Sequence, residues 1–208
     1  MAETGHIDTF ARDNLPPREQ WPEFKFDLPE LQYPERLNCV TEWVDRWVAA
    51  GQGDRPCLIS PAETLTYAQL HERVNRIANV LTRDLGLVPG GRVLLRAPNN
   101  PMMVAAYFAV IKAGGIAVAT MPLLRAKELS YPLAKAQITL ALCDSRLADE
   151  MEKAKTQSPN LKRIVYWGPN SGELQALMEK PGYESFTACD TASDDVCLIA
   201  FTSGTRSE

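Results

Sequence analysis

Small hydroxyl residues crowd around a glycine near the end of the chain, in the run Thr202-Ser203-Gly204-Thr205. Directly before them the apolar residues from Val196 onward read as a buried strand over Val196 to Thr202. Glycine lets a backbone approach oxygens closely and point its N–H groups at them, and Ser and Thr hydroxyls add donors. That is material for holding phosphate, although the same four residues also make an ordinary hydroxyl-rich turn. A second strand end with polar potential is Ala119-Thr120-Met121-Pro122-Leu123-Leu124-Arg125. In open α/β sheets ligands bind beyond the carboxyl ends of strands, so these two ends are where chemistry could sit.

Other constellations are poorer. Gly51-Gln52-Gly53-Asp54-Arg55-Pro56 comes nearest to G-x-G-x-x-G, but proline replaces the third glycine and the segment follows a helix. No G-x-x-x-x-G-K-[ST] occurs. His6 and His71 are the only histidines and no two of the five cysteines form C-x-x-C, which is poor material for zinc. Asp194 and Asp195 are adjacent, and neighbouring strand residues point to opposite faces, so they read as a loop-end turn and not a metal pair. His71 reads as a surface or boundary side chain, and Met102 and Met103 as helix packing. No residue is assigned a catalytic or metal-binding role.

The elements that must position these ends alternate. Residues 1–37 are rich in proline and aromatics and read as an extended arm lying on a larger body. Val40, Trp43, Val44, Trp47 and Val48 form one helical face that Gly51 ends. Pro56 to Ser60 and Glu63 to Thr66 read as a short strand pair, with Thr66 capping a helix that closes near Gly86. Strands follow at 92–97, 116–120, 138–143, 163–166 and 196–202. Helices are expected at about 100–112, 126–137, 145–156 and 172–179. The apolar run Val93-Leu94-Leu95 suits a strand buried on both faces. Repeated strand–helix alternation predicts an α/β fold, a doubly wound and mostly parallel sheet with helices on both faces.

Bulk composition excludes several classes. The chain has 208 residues, 45% of them hydrophobic, enough for a substantial core. Its formal net charge of -4 offers no basic field to nucleic acid or an anionic membrane. No run approaches the roughly 20 apolar residues of a membrane span, and the first residues lack a secretory pattern. Scattered cysteines read as buried small hydrophobes in a reducing compartment, so the cytoplasm is expected.

Three segments, in this order, resemble the AMP-forming acyl-CoA synthetase superfamily. They are Leu65-Thr66-Tyr67-Ala68-Gln69-Leu70, then Tyr107-Phe108-Ala109-Val110-Ile111-Lys112-Ala113-Gly114-Gly115-Ile116-Ala117-Val118 followed by Pro122-Leu123, then Asp194 to Thr205. The segment Asp8 to Pro17 is similar to the benzoate and 2-aminobenzoate CoA-ligase branch. The resemblance implies the N-terminal lobe of the adenylate-forming fold over 38–208, with the C-terminal domain absent. It implies ATP, Mg2+ and CoA as cofactors and a small carboxylic acid as substrate, converted to acyl-AMP and then acyl-CoA. It places Thr202, Ser203, Gly204 and Thr205 at the start of the family's phosphate loop, and Arg125 toward CoA phosphate, where a solvated loop arginine is the plainer alternative. Family members continue with threonine, glycine, a variable residue, proline and lysine. Arg206 and Ser207 replace the first two here, which reads as truncated or appended sequence, and the chain alone is expected to be inactive. A fatty-acyl-CoA synthetase, an amino-acid-adenylating fragment and a stand-alone α/β binding module are the alternatives. A lobe built to dock on others exposes apolar surface, which leaves self-association to a homo-oligomer open.

Overall fold

The structure, a computed structural model, describes residues 3–169 and 171–202. A single helical turn, α1 (Phe10–Asp13), lies in the N-terminal arm. The helix expected after Asn38 forms as a π-helical turn over Thr41–Asp45 running into α2 (Arg46–Ala49). Strands β1 (Pro56–Ile59) and β2 (Thr64–Thr66) make a separate antiparallel pair. Thr66 then caps α3 (Tyr67–Asn79): its hydroxyl accepts from the Gln69 N–H at 3.3 Å, and Gln69 Oε1 accepts from the Thr66 N–H at 2.9 Å.

The remainder alternates strand and helix as β3 (Arg92–Arg96), α4 (Pro101–Lys112), β4 (Ile116–Thr120), α5 (Ala126–Lys135), β5 (Leu140–Asp144), α6 (Ala148–Thr156), β6 (Arg163–Trp167) and α7 (Glu173–Met178). Asn100 starts α4 by accepting the Met103 N–H at 2.9 Å, and Pro101 takes the first helical position, where no N–H is needed. Gly114, with φ of 77°, turns the chain into β4, and a Cβ there would stand 2.6 Å from the Cys189 sulfur.

The four strands of the main sheet are all parallel, in the order β4-β3-β5-β6. One apolar core, with side chains from α3, α4 and α7, covers one face, and a second, from α5 and α6, covers the other. Every residue of β3 and of β5 is buried, because helices lie on both sides; strands in that position read as unbroken apolar runs and not as alternation. The chain therefore has the doubly wound α/β architecture that its sequence predicts.

The expected strand over 196–202 is corrected. The segment runs beside the free edge of β4 with one parallel bridge, Ala117↔Leu198, and two backbone hydrogen bonds. Ala117 donates to the Cys197 carbonyl and Ile199 donates to the Ala117 carbonyl, each at 3.0 Å. Leu198 remains 46% exposed. Among the described residues no strand pairs with its outer side, so the ladder that would regularise it is missing.

One charged anchor ties the helices of this frame together. Lys112, fully buried at the end of α4, donates to Asp45 Oδ1 at 2.8 Å and Asn75 Oδ1 at 2.7 Å, tying α4 to α3 and to the π turn. Burial lowers its pKa, and the Asp45 carboxylate opposes that shift. His71 stands beside the same Asp45, half-buried, with its pKa lowered first by burial and then by the Lys112 charge.

The arm is held at its two ends. Ile7 and Asp8 donate to the Pro89 carbonyl at 3.0 and 2.9 Å, and the Asp8 carboxylate pairs with Arg92. Asp195 accepts from the Thr4 hydroxyl at 2.5 Å and from the Gly5 and Ala192 N–H groups, each at 2.9 Å, with Arg12 at 3.3 Å. Leu37 closes the far end by donating to the Thr191 carbonyl. Between these anchors Trp21, Phe24 and Phe26 pack on one another, with Phe24 and Phe26 largely exposed.

Burial pushes the Asp195 carboxyl up, but the Thr4, Gly5 and Ala192 donors outweigh it and hold the group below the usual aspartate value. A depressed folded-state pKa contributes stability that is complete above the unfolded value of about 3.9 and is lost as pH falls through the lower folded value. Asp195→Asn is therefore expected to cost about 1 kcal/mol at neutral pH, with the deficit shrinking below about pH 4. Urea unfolding of both proteins from pH 7 to 3 measures this; a deficit constant with pH would contradict it.

Candidate functional site

The helices that follow β3 and β5 leave on opposite faces, α4 on one and α6 on the other. Neighbouring parallel strands whose connections diverge in this way open a crevice above their carboxyl ends. Arg96 closes β3 at that position, and Asp144 closes β5, where it accepts from the Arg146 N–H at 3.0 Å and pairs with the Arg146 guanidinium.

Arg96 is 1% exposed and has no carboxylate partner among the described residues. Its guanidinium instead donates to three backbone carbonyls of the loop after β4: Met121 at 3.2 Å, Pro122 at 3.0 Å and Leu124 at 2.6 Å. Burial lowers its pKa, opposed in smaller measure by Cys143 and Glu150. A planar fork of donors suits converging carbonyls, and it fixes the course of the loop that leads to Arg125. Sequence reasoning missed this residue. The signal was present in Val93-Leu94-Leu95-Arg96-Ala97, where a charge ends a run that is otherwise buried.

Arg125 stands exposed at the start of α5. Its N–H donates to Glu128 Oε2 at 2.8 Å, and the next N–H, of Ala126, donates to Glu150 Oε2 at 2.9 Å. Its guanidinium makes no hydrogen bond among the described residues, so it is open to solvent or to an anion. Six residues further, about 9 Å along the helix, the Tyr131 ring meets Phe201 edge-on at 5.8 Å. Thr202, the next residue, is exposed. Of the four residues singled out for phosphate, Thr202 is described, and Ser203, Gly204 and Thr205 lie outside the described residues. Met121 and Leu123, at 62% and 83% exposed, leave an apolar rim on the loop. Among the described residues no group of three or more His, Cys, Asp and Glu side chains could hold a metal ion.

Asp194 and Asp195 occupy a turn, as expected, with the Asp195 carboxylate committed to the arm. Met102 and Met103 pack against the core, also as expected. No helix of the described residues is long and apolar enough to cross a membrane.

Comparison with known proteins places this geometry. Residues 45–208 match the family model for the AMP-binding enzymes. The chain belongs to that family. It is 29% identical over 176 residues to a benzoate–CoA ligase of Thauera aromatica, covering 85% of this chain and 33% of that protein. It is 31% identical over 207 residues to a long-chain-fatty-acid–CoA ligase of Salmonella typhimurium, covering 86% of this chain and 37% of that protein. In fold it is similar to the anthranilate CoA ligase AuaEII solved in complex with anthranoyl-AMP, with a TM-score of 0.76 and 23% identity over 83% of this chain and 33% of that one. The chain thus spans about a third of the length of the relatives it matches.

Replacing Arg96 by Met is expected to strand three loop carbonyls and cost about 2 kcal/mol, with faster amide hydrogen exchange at Leu124, whose N–H donates to the Met121 carbonyl. Arg96→Lys recovers part of the loss, since an ammonium cannot reproduce the fork. Unchanged exchange in the Met variant would show that the loop holds itself.

Proposed function

We propose that these residues form the N-terminal part of an ATP-dependent acid:CoA ligase that makes an acyl-adenylate and then an acyl-CoA. The observation that supports the reading is the course of residues 196–202 in a chain of the AMP-binding family: they run parallel beside β4, bridged at Ala117↔Leu198, in the direction of the strands' carboxyl ends. On this reading residues 38–208 are the N-terminal α/β subdomain and residues 1–37 an arm upon it.

Thr202, Ser203, Gly204 and Thr205 hold the ATP phosphates with hydroxyl and backbone N–H donors, and Arg125 faces a phosphate of CoA. In the first step a carboxylate oxygen of the acid attacks the α-phosphorus and pyrophosphate leaves; in the second the CoA thiolate attacks the acyl carbon and AMP leaves. Donors fixed before the reaction stabilise the charge that moves through the phosphates. Mg2+ in such sites is held largely by phosphate oxygens and water with one or two carboxylates, and would add to the neutralisation of phosphate charge.

An aromatic acid such as benzoate or 2-aminobenzoate is the favoured substrate, supported by likeness to the benzoate–CoA ligase and to the fold of the anthranilate CoA ligase. The 31% identity to a long-chain-fatty-acid–CoA ligase favours a second reading with an aliphatic acid. The 208-residue chain alone is inactive on this account, because it covers only about a third of its relatives' length and carries Arg206 and Ser207 where the resemblance implies threonine and glycine.

Pyrophosphate release tests both parts. The parent protein is expected to release it in the presence of CoA with benzoate or 2-aminobenzoate in preference to octanoate, and the isolated chain with none of them. Preference for octanoate would defeat the aromatic assignment, and turnover by the isolated chain would show that its site is complete.

A further inference from the structure

Five cysteines spread from residue 39 to residue 197 look unrelated in sequence, yet the fold brings two of them to the lining of one cavity. Cys39 and Cys197 line one small cavity of about 50 Å³, together with Ile111, Gly114 and Gly115. The backbone around each is pinned. Beside Cys39, the Asn38 amide donates to the Ile111 carbonyl at 3.0 Å and the Cys189 carbonyl at 3.2 Å, while the Cys197 carbonyl accepts from the Ala117 N–H at 3.0 Å. The two anchors, Ile111 and Ala117, flank the Gly114-Gly115 turn, where the absence of side chains leaves the cavity open. Its volume is enough for a few water molecules or one molecule of hydrogen peroxide.

We propose that Cys39 and Cys197 form a peroxide-sensitive thiol pair that closes to an intramolecular disulfide. This inference goes beyond the ligase reading and does not depend on it. The Cys197 thiol, on the same cavity, lowers the Cys39 pKa to about 7 against the opposing effect of burial. The influence of Cys39, followed by burial, raises Cys197. Cys57, Cys143 and Cys189 are all shifted upward by burial, Cys143 to about 12, so the thiolate, which is the reactive form, is concentrated on Cys39.

The steps balance with hydrogen peroxide as oxidant. The Cys39 thiolate attacks one peroxide oxygen, the O–O bond breaks, and the leaving hydroxide is protonated to water, giving a sulfenic acid. Cys197 then gives up its proton and attacks the Cys39 sulfur; the S–S bond forms, the S–O bond breaks, and the second hydroxide leaves as water. Two thiols are oxidised and one peroxide is reduced. The product staples the start of the helical stretch that runs into α2 to the segment that leads to Thr202.

The test is peroxide treatment of the purified 208-residue chain, followed by denaturation, alkylation and peptide mapping by mass spectrometry. The expected product is a monomer that has lost two hydrogens, alkylated at Cys57, Cys143 and Cys189, with a Cys39–Cys197 crosslinked peptide. Its urea midpoint should exceed that of the reduced chain, because the bond closes most of the sequence into one loop. Cys39→Ser and Cys197→Ser should each abolish the crosslink, and Cys189→Ser should leave it intact. Mapping the wild-type protein keeps the test decisive if a Ser variant fails to fold. Alkylation of all five cysteines after peroxide, oxidation of Cys39 that stops at sulfinic acid, a crosslink between molecules, or a bond to Cys189 would each overturn the proposal.

Discussion

Strand β3 is paired on both edges and covered on both faces, so the cation that ends it has to find its partners inside the protein. A guanidinium withdrawn from water without hydrogen bonds would cost several kcal/mol. Arg96 offsets much of that by gathering the carbonyls of Met121, Pro122 and Leu124 on its two terminal nitrogens. The loop after β4 is thereby set in one course at the carboxyl ends of the strands. From it follow the start of α5, the exposed position of Arg125, and the surface against which Phe201 packs. That loop is organised from beneath by one buried cation.

Much of this frame was legible in the sequence. Apolar runs marked strands buried on both faces, and the cap at Thr66 marked a helix start because its side chain can take an orphaned N–H group. Element order, and with it the parallel sheet, followed from alternation. The irregularity of residues 196–202 did not, since periodicity reports what a segment could bury and not whether a neighbour is there to pair with it. Arg96 and Lys112 were visible as charges at the ends of apolar elements, but their partners lie 25 or more residues away, at Met121 to Leu124 and at Asp45 and Asn75. Nor does spacing reveal that Cys39 and Cys197 meet, because the contact depends on the Gly114-Gly115 turn between two elements that each cysteine joins separately.

The comparisons fix the family and leave the particular acid to chemistry. Benzoate and long-chain-fatty-acid ligases match the chain at similar identity, which is what a shared scaffold for handling a nucleotide would give. The exposed Met121 and Leu123, and the open outer edge of residues 196–202, are apolar and backbone surface of the kind that further chain would cover in a longer protein.

The central claim is that the chain leaving β4's edge carries a phosphate cradle. A structure of the parent protein with bound ATP tests it most directly. The account predicts phosphate oxygens within hydrogen-bond reach of Thr202 to Thr205, above the carboxyl ends of the parallel strands. A nucleotide bound elsewhere, with those residues turned away from it, would contradict the account.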